Sequence, residues 1–265
     1  MRIGADPECL LVDKIGNFKA VCGLLDGHDK WNPFQVPDME QGFTFQEDNV
    51  CIEFGVPPAS TAAQFKHHIK AVQKRFLKEY KHLKFSNLSC AVFPDEEMKH
   101  PAAHIFGCEA DFNAWNGKVN KKPKPPVPNM RSAGGHVHIE TKLDVRKVIQ
   151  ACDLFLGVPS ILMDNGEMRK QLYGKAGCYR SKPYGGEYRT LSNFWFLNPD
   201  KYSSWVWEGV ARALDLVNTP TNWKGSSKGD VGSLKEFSTQ IIRCINENDK
   251  NLAEELVETW NLEVV

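Results

Sequence analysis

Polar groups at intervals of two recur in four separate strand-like stretches, and most alternate positions in them are apolar. The groups are Asp6 and Glu8 in "GADPECLLVD", Glu53 in "VCIEFGV", His136 and His138 in "GGHVHIE", and Glu187 and Arg189 in "GGEYRTL". Successive side chains of a strand point to opposite faces, so each stretch presents one charged or imidazole face and one less polar face. Four such strands in one antiparallel sheet would gather these groups on a single polar surface, with helices packed on the other side. The plainer reading is a solvated sheet face on which Glu187 and Arg189 form a salt bridge and nothing more. Glycine pairs favour the first reading. Gly134-Gly135 and Gly185-Gly186 remove side chains beside the polar groups, which in strands marks close approach of a ligand or of another backbone.

The remaining patterns fill in an α+β chain. "RIGADPECLLVDKIGNFKAVCG" reads as a hairpin split at Lys14-Ile-Gly-Asn17, with Asp6 and Glu8 on its first strand or at that strand's mouth. "FTFQEDNVCIEFGVPPA" reads as one half-buried strand, with Val50, Ile52 and Phe54 on one face and Cys51 and Glu53 on the other, ended by Pro57 and Pro58. Phe65, Ile69, Val72, Phe76, Tyr80 and Leu83 recur at helical spacing behind a Thr61/Gln64 capping box. Further helices are expected near 142–156, 203–218 and 233–248, the last opening with Ser233 and Glu236 as a second capping box. The basic, proline-rich segment 116–129 and the Gly/Lys/Arg-rich segment 166–186 read as loops, either of which could serve as a lid. No composition break divides the chain, so residues 1–265 are expected to form a single catalytic domain with a helical part from about 203.

Converging carboxylates raise each other's pKa and cannot all stay ionised without a cation between them. Oxygen-rich ligands with an imidazole favour Mg2+ or Mn2+ over zinc, and Mg2+ held by carboxylates commonly completes its shell with water and substrate phosphate. That points to a nucleotide. Matching cations stand in the 166–189 stretch: Arg169, Lys170, Lys175, Arg180, Lys182 and Arg189. No P-loop occurs, dinucleotide-fingerprint spacing is absent, and no serine triad has a signature here. Cys108 and Cys178 are candidate nucleophiles for which a structural thiol is the plainer reading. The eight cysteines form no C-x-x-C pair, no secretory apolar region opens the sequence, and no run approaches a membrane span, so a soluble cytoplasmic protein is expected. The 33 basic and 33 acidic residues cancel, which argues against a nucleic-acid partner.

Taken in order, "GADPECLLVD", "EDNVCIEFGVPPA", "GGHVHIE" and "YGKAGCYRSKPYGGEYRTLSNFWF" resemble the bacteriophage-type carboxylate-amine ligases of the second type, distant relatives of glutamate-cysteine ligase with a glutamine-synthetase-like half-barrel. The resemblance spans roughly residues 1 to 200. It implies an antiparallel sheet packed by helices on its outer face, and ATP and Mg2+ (or Mn2+) as cofactors. It further implies Asp6, Glu8, Glu53, His136 and Glu187 as metal ligands and Arg189 on the transferring phosphoryl group. The catalytic candidates are then Arg189 and Glu53, and the nucleotide-binding candidates Arg189, Lys175, Arg180 and Arg169. Arg131, His138 and Asp111 are substrate candidates, with Glu109 beside Asp111. A metal neighbour, a substrate contact and a packed ring all remain open for His138. The implied reaction joins a small carboxylate to an amine through an acyl phosphate, and in a phage-encoded protein it would run in the host cytoplasm. The competing classes are a catalytically silent nucleotide-binding protein, a metal-dependent phosphohydrolase, and a kinase that releases its phosphorylated product.

Overall fold

The computed structural model describes residues 1–105, 111–121, 124–219 and 234–265. Its centre is an open eight-stranded sheet in which every neighbouring pair is antiparallel. Across the sheet the strands run β4 (Phe34–Gln35), β5 (Thr44–Asp48), β6 (Cys51–Ala59), β1 (Ile3–Cys9), β11 (Gly135–Glu140), β13 (Gly185–Tyr188), β12 (Cys178–Lys182) and β9 (Phe112–Asn113). Smaller sheets join β3 (Phe18–Lys19), β2 (Leu11–Asp13) and β7 (Leu83–Phe85), and β10 (Met130–Ser132) with β8 (Cys90–Val92).

The apolar parity of the central strands, with Ile3, Ile52, Phe54, Val137, Ile139 and Tyr188, is buried beneath helices. The helix α1 (Ala62–Glu79) lies on β6, α2 (Val145–Cys152) on β12 and β13, and α5 (Phe194–Leu197) on β11. The long α6 (Pro199–Asn218) packs across α1 and α2. Spacings of three and four put Phe65, Ile69, Val72 and Phe76 of α1 against the sheet. There the rings of Phe45, Phe54 and Phe76 meet pairwise edge to face at 5.4–5.6 Å, the arrangement their quadrupoles favour. The α1 cap forms as the sequence suggests: Thr61 accepts from Gln64 N–H, and Gln64 reaches back to Ser60 N–H. One main hydrophobic cluster draws residues from Ile3 to Leu262. Among the described residues no helix is long and apolar enough to cross a membrane.

Four expectations are corrected. The hairpin at 14–17 joins β2 to β3, whereas Asp6 and Glu8 stand on β1, which Leu10 separates from that hairpin so that it enters the central sheet. The 43–59 stretch is two strands folded back at Asn49, whose φ of 58° is the left-handed turn conformation that Asn tolerates. Strand β6 does not stop at Pro57 and Pro58. The β1–β6 register shifts between Ile3/Ala59 and Ala5/Val56, and this bulge absorbs two residues that have no N–H to donate. Segment 166–186 is mostly structured, as α4 (Glu167–Lys170) followed by the β12–β13 hairpin. Arg180 and Lys182 belong to a strand face opposite the Glu187 carboxylate, so composition imitated a loop.

The helix expected at 142–156 runs on to 163 as α2, a π turn over Asp153–Gly157 and α3 (Val158–Met163). Val158 N–H bonds to the carbonyl of Asp153 five residues back, next to Pro159, which has no N–H to continue the regular pattern. The last region holds α7 (Ser238–Glu247) and α8 (Lys250–Trp260); Ser233 of the expected cap lies outside the described residues. The described part of 116–129 carries no regular element beyond an isolated bridge from Val119 to Phe112.

Candidate active site

Cross-strand register decides which polar groups meet. Glu8 lies opposite Glu53, which in turn faces Gln46; Asp6 faces His136; His138 faces Glu187, which faces Arg180. Directly opposed residues share a face, so all of these point away from the helices onto one surface. Among the described residues two groups of three emerge, each able to offer ligand atoms within 4.8 Å of one another: Asp6, His138 and Glu187, and then Glu8, Asp48 and Glu53. His136 stands between them, its Nδ1 at 3.5 Å from Asp6, 3.9 Å from Glu8 and 3.8 Å from Glu187. Gly134 N–H donates to Glu8 Oε2 at 2.7 Å, and the position needs glycine because a Cβ there would run into the His136 ring.

The two groups differ in charge balance. In the first, burial works against ionised Asp6, but His138 and His136 hold its carboxyl well below the usual range. His138 Nε2 lies 2.9 Å from Asp6, and despite burial that carboxylate raises the imidazole pKa. Glu187 is fully buried; burial and Asp6 oppose its charge, yet Arg189 and the two histidines hold it at about 2. Lys182 Nζ at 2.9 Å, Arg180 at 3.6 Å and a short hydrogen bond from Arg189 surround it. In the second group burial comes first, and Asp6, Asp48 and Glu8 add to it, so Glu53 is pushed well above its ordinary value. Burial and Glu8 likewise lift Asp48 to about 7, against Arg189, Lys30 and Arg180. A divalent cation bound among Glu8, Asp48 and Glu53 would relieve this conflict, and an all-oxygen donor set suits Mg2+ or Mn2+. Asp48→Asn is expected to weaken Mg2+ binding by about tenfold or more, the scale on which lost metal-site partners act. Titration calorimetry checks it, and an unchanged affinity would remove Asp48 from the site.

The polar face opens into a recess of ≈ 220 Å³ lined by Asp6, Glu53, Lys30, Arg180 and Lys182, with the exposed Trp31 at its rim. Past Glu8, Asp48, His136 and Arg189 a narrower chamber of ≈ 50 Å³ continues inward. Arg131 and Arg169 line that chamber while hydrogen-bonded to backbone carbonyls, Arg131 to Ala103, Pro128 and Met130, and Arg169 to Ala133 and Thr190. Asp111 lines it too, 3.6 Å from Arg189 Nε. Lys175 stands elsewhere: its amine donates to the Asn246 carbonyl and lines a separate surface recess beside α7. Burial pushes the Cys178 thiol up to about 12, which keeps it from serving as a nucleophile. Cys108 and Glu109 lie outside the described residues.

Asp48 and Lys30 were absent from the residues singled out by sequence, and Lys182 stood there only among the matching cations, without a site role. The signal for Asp48 was the "DN" turn dipeptide: a hairpin there puts Asp48 opposite Cys51 and on the face of Glu53. Lys182 follows Arg180 at strand parity, a relation hidden by reading the segment as a loop. Residues 126–207 match the phage phiEco32-like COOH.NH2 ligase-type 2 family, the family that the motifs resemble. The matched stretch carries His136, His138, Arg180, Glu187 and Arg189, while Asp6, Glu8, Asp48 and Glu53 precede it. No curated protein matches the chain.

Proposed function

With that match to a carboxylate–amine ligase family as the starting point, we propose that the protein is an ATP-dependent ligase that forms an amide from a small carboxylate and an amine through an acyl phosphate. The observation that carries this reading is the pairing on one sheet face of a charge-compensated group, Asp6–His138–Glu187, with an uncompensated acidic one, Glu8–Asp48–Glu53, under a rim of cations. Such a surface suits a polyphosphate bridged by metal ions.

Glu8, Asp48 and Glu53 would hold one divalent ion, and Asp6, His138 and Glu187 a second, with His136 between them. Bound there, the ions would supply charge neutralisation of the phosphates. Arg180 and Lys182 reach the same recess and add fixed positive charge. Arg189 is held by Glu187 and His136 and lines both the recess and the inner chamber, so its guanidinium would meet negative charge building up on a transferring phosphoryl group there. A carboxylate oxygen attacks the γ-phosphorus, the bond to the β-phosphate oxygen breaks, and ADP leaves. The amine then attacks the acyl carbon and phosphate departs. Asp111, on the inner chamber, is suited to hold the ammonium end of an acceptor, whereas the Arg131 guanidinium is spent on the carbonyls of Ala103, Pro128 and Met130.

The test is ADP and phosphate release from ATP and Mg2+ against pooled carboxylates and amines. A particular pair should stimulate release together with amide formation, and Glu53→Gln should cut the stimulated rate by about a hundredfold or more. Release at full rate without an amine would mean a phosphohydrolase, and ADP with a phosphorylated product and no amide a kinase. A chain that binds no ATP would leave the reading without support.

A further inference from the structure

Strands β11 and β13 stay in register from Glu140/Gly185 to Val137/Tyr188, and the next pairing is the isolated bridge from Gly134 to Ser192. Between those pairings one side supplies two residues, 135 and 136, and the other supplies three, 189 to 191. The extra residue makes a bulge, the device by which sheets re-aim a side chain beside a site. Arg189 opens this stretch. Its guanidinium reaches from there to Glu187 and His136, so the seating of the bulge decides where that charge is held.

Side chains of α4 hold the bulged backbone. Arg169 donates from Nε to the Ala133 carbonyl at 2.9 Å, from one terminal nitrogen to Thr190 at 3.1 Å and from the other to Arg189 at 3.4 Å. Lys170 Nζ, also buried, donates to the Thr190 carbonyl at 3.2 Å and to that of Gly174 at 2.7 Å. Gly174, with a φ of 69°, closes the clamp, because a Cβ there would run into the Arg169 guanidinium and the Thr190 carbonyl. The Ala133 end is itself fixed to other segments, by Ala133 N–H to Ser89 at 2.9 Å and by Glu8 N–H to Gly134 at 2.8 Å. A planar, rigid fork thus carries that fixity across to Arg189.

From this we infer that Arg169, backed by Lys170, is a positioning residue that seats the bulge and so aims Arg189, and that it is not itself a contact for nucleotide or substrate. At 2% exposure, with all three nitrogens donating to carbonyls, it has little to offer a ligand in the inner chamber it lines. The effect on rate rests on the ligase reading above, whereas the effect on the bulge rests on geometry alone. Arg169→Lys separates the two roles. It keeps the positive charge, but a single amine cannot span three carbonyls on two segments.

Hydrogen exchange of the full chain, followed peptide by peptide, and MgATP kinetics of the same variants test this. In Arg169→Lys the amides of 189–192 should exchange about tenfold faster or more, while those of α1 and α6 keep their wild-type rates. MgATP affinity by calorimetry should stay within about twofold, and kcat for stimulated ADP release should fall about a hundredfold, the scale on which a misplaced group costs rate. In an Arg189→Ala background the same substitution should cost less than about twofold more, because the group it aims is gone. Unchanged exchange at 189–192 overturns the clamp, and faster exchange throughout the chain overturns it too, by making Arg169 a general support of the fold. A loss carried by MgATP affinity with kcat retained would make Arg169 a ligand contact, and losses that multiply in the double variant would make it independent of Arg189; either overturns the positioning role. Should Arg169→Lys fail to fold, Lys170→Met, which leaves the fork and removes one donor to Thr190, should show the same local pattern on a smaller scale, and wild-type exchange in it overturns the clamp. A wild-type chain that releases no ADP from MgATP removes the ligase reading, and exchange at 189–192 then decides the clamp by itself.

Discussion

Replacing Glu187 by alanine should cost about 3–5 kcal/mol of folding stability, the range for removing one partner of a buried ion pair, and should leave no measurable substrate-stimulated ADP release. The Glu187 side chain has 0% exposure and sits among Arg189, Lys182 at 2.9 Å and Arg180 at 3.6 Å. Without the carboxylate, three cations converge on a dry hole with nothing between them. Chemical denaturation of wild type and variant measures the stability. A loss under about 1 kcal/mol would show that water or a counter-ion replaces the carboxylate freely, and the site would then be far wetter than its geometry implies.

Asp153 should support the same strand from its apolar side. It is fully buried at the start of the π turn and accepts from Trp115 Nε1 at 2.7 Å, Tyr188 OH at 2.9 Å and Thr190 Oγ1 at 3.1 Å. Tyr188 and Thr190 alternate with Glu187 and Arg189, so a group that holds the first pair from below fixes where the second pair points. Asp153→Ala leaves Trp115 Nε1 without this acceptor and weakens the other two, at an expected cost of about 3 kcal/mol.

A pH signature distinguishes this group from others. Burial lifts its carboxyl from 3.8 to about 6, although the hydrogen bonds oppose the rise. The folded state therefore holds the proton more tightly than the unfolded one. Stability from this group is full below about pH 4, falls as pH rises to about 6, and is level above, a drop of about 3 kcal/mol. Between about pH 4 and pH 7 wild type should thus lose about 3 kcal/mol more than Asp153→Asn in denaturant titrations. Parallel pH profiles would mean that Asp153 titrates no differently in the folded and unfolded chains.

Much of the candidate site is legible as alternation. Asp6 with Glu8, His136 with His138 and Glu187 with Arg189 each share a parity, and a strand cannot place such a pair on opposite faces. The α1 stripe and its Thr61 cap are equally local, because helical period and capping depend on neighbours within a turn or two. Asp48 was missed for want of one turn: reading Gln46 to Phe54 as continuous hid the fold-back at Asn49 that brings Asp48 to Glu53. Arg180 and Lys182 stand among the candidate cations in the sequence, but the density of Gly and Lys around them hid the strand register that sets Arg180 against Glu187.

Side-chain parity is a property of a single strand and can be read from its residues. Register, burial and charge compensation belong to pairs of strands far apart in the chain. No local pattern could say that His138 rather than His136 would complete a group with Asp6 and Glu187, or that Glu8 and Glu53 would be joined by Asp48. Nor could it say that Arg131 and Arg169 would be tied to carbonyls while Lys175 faced another recess. Those outcomes follow from which strands pair and at what offset, an energy summed over the whole sheet and its helical cover.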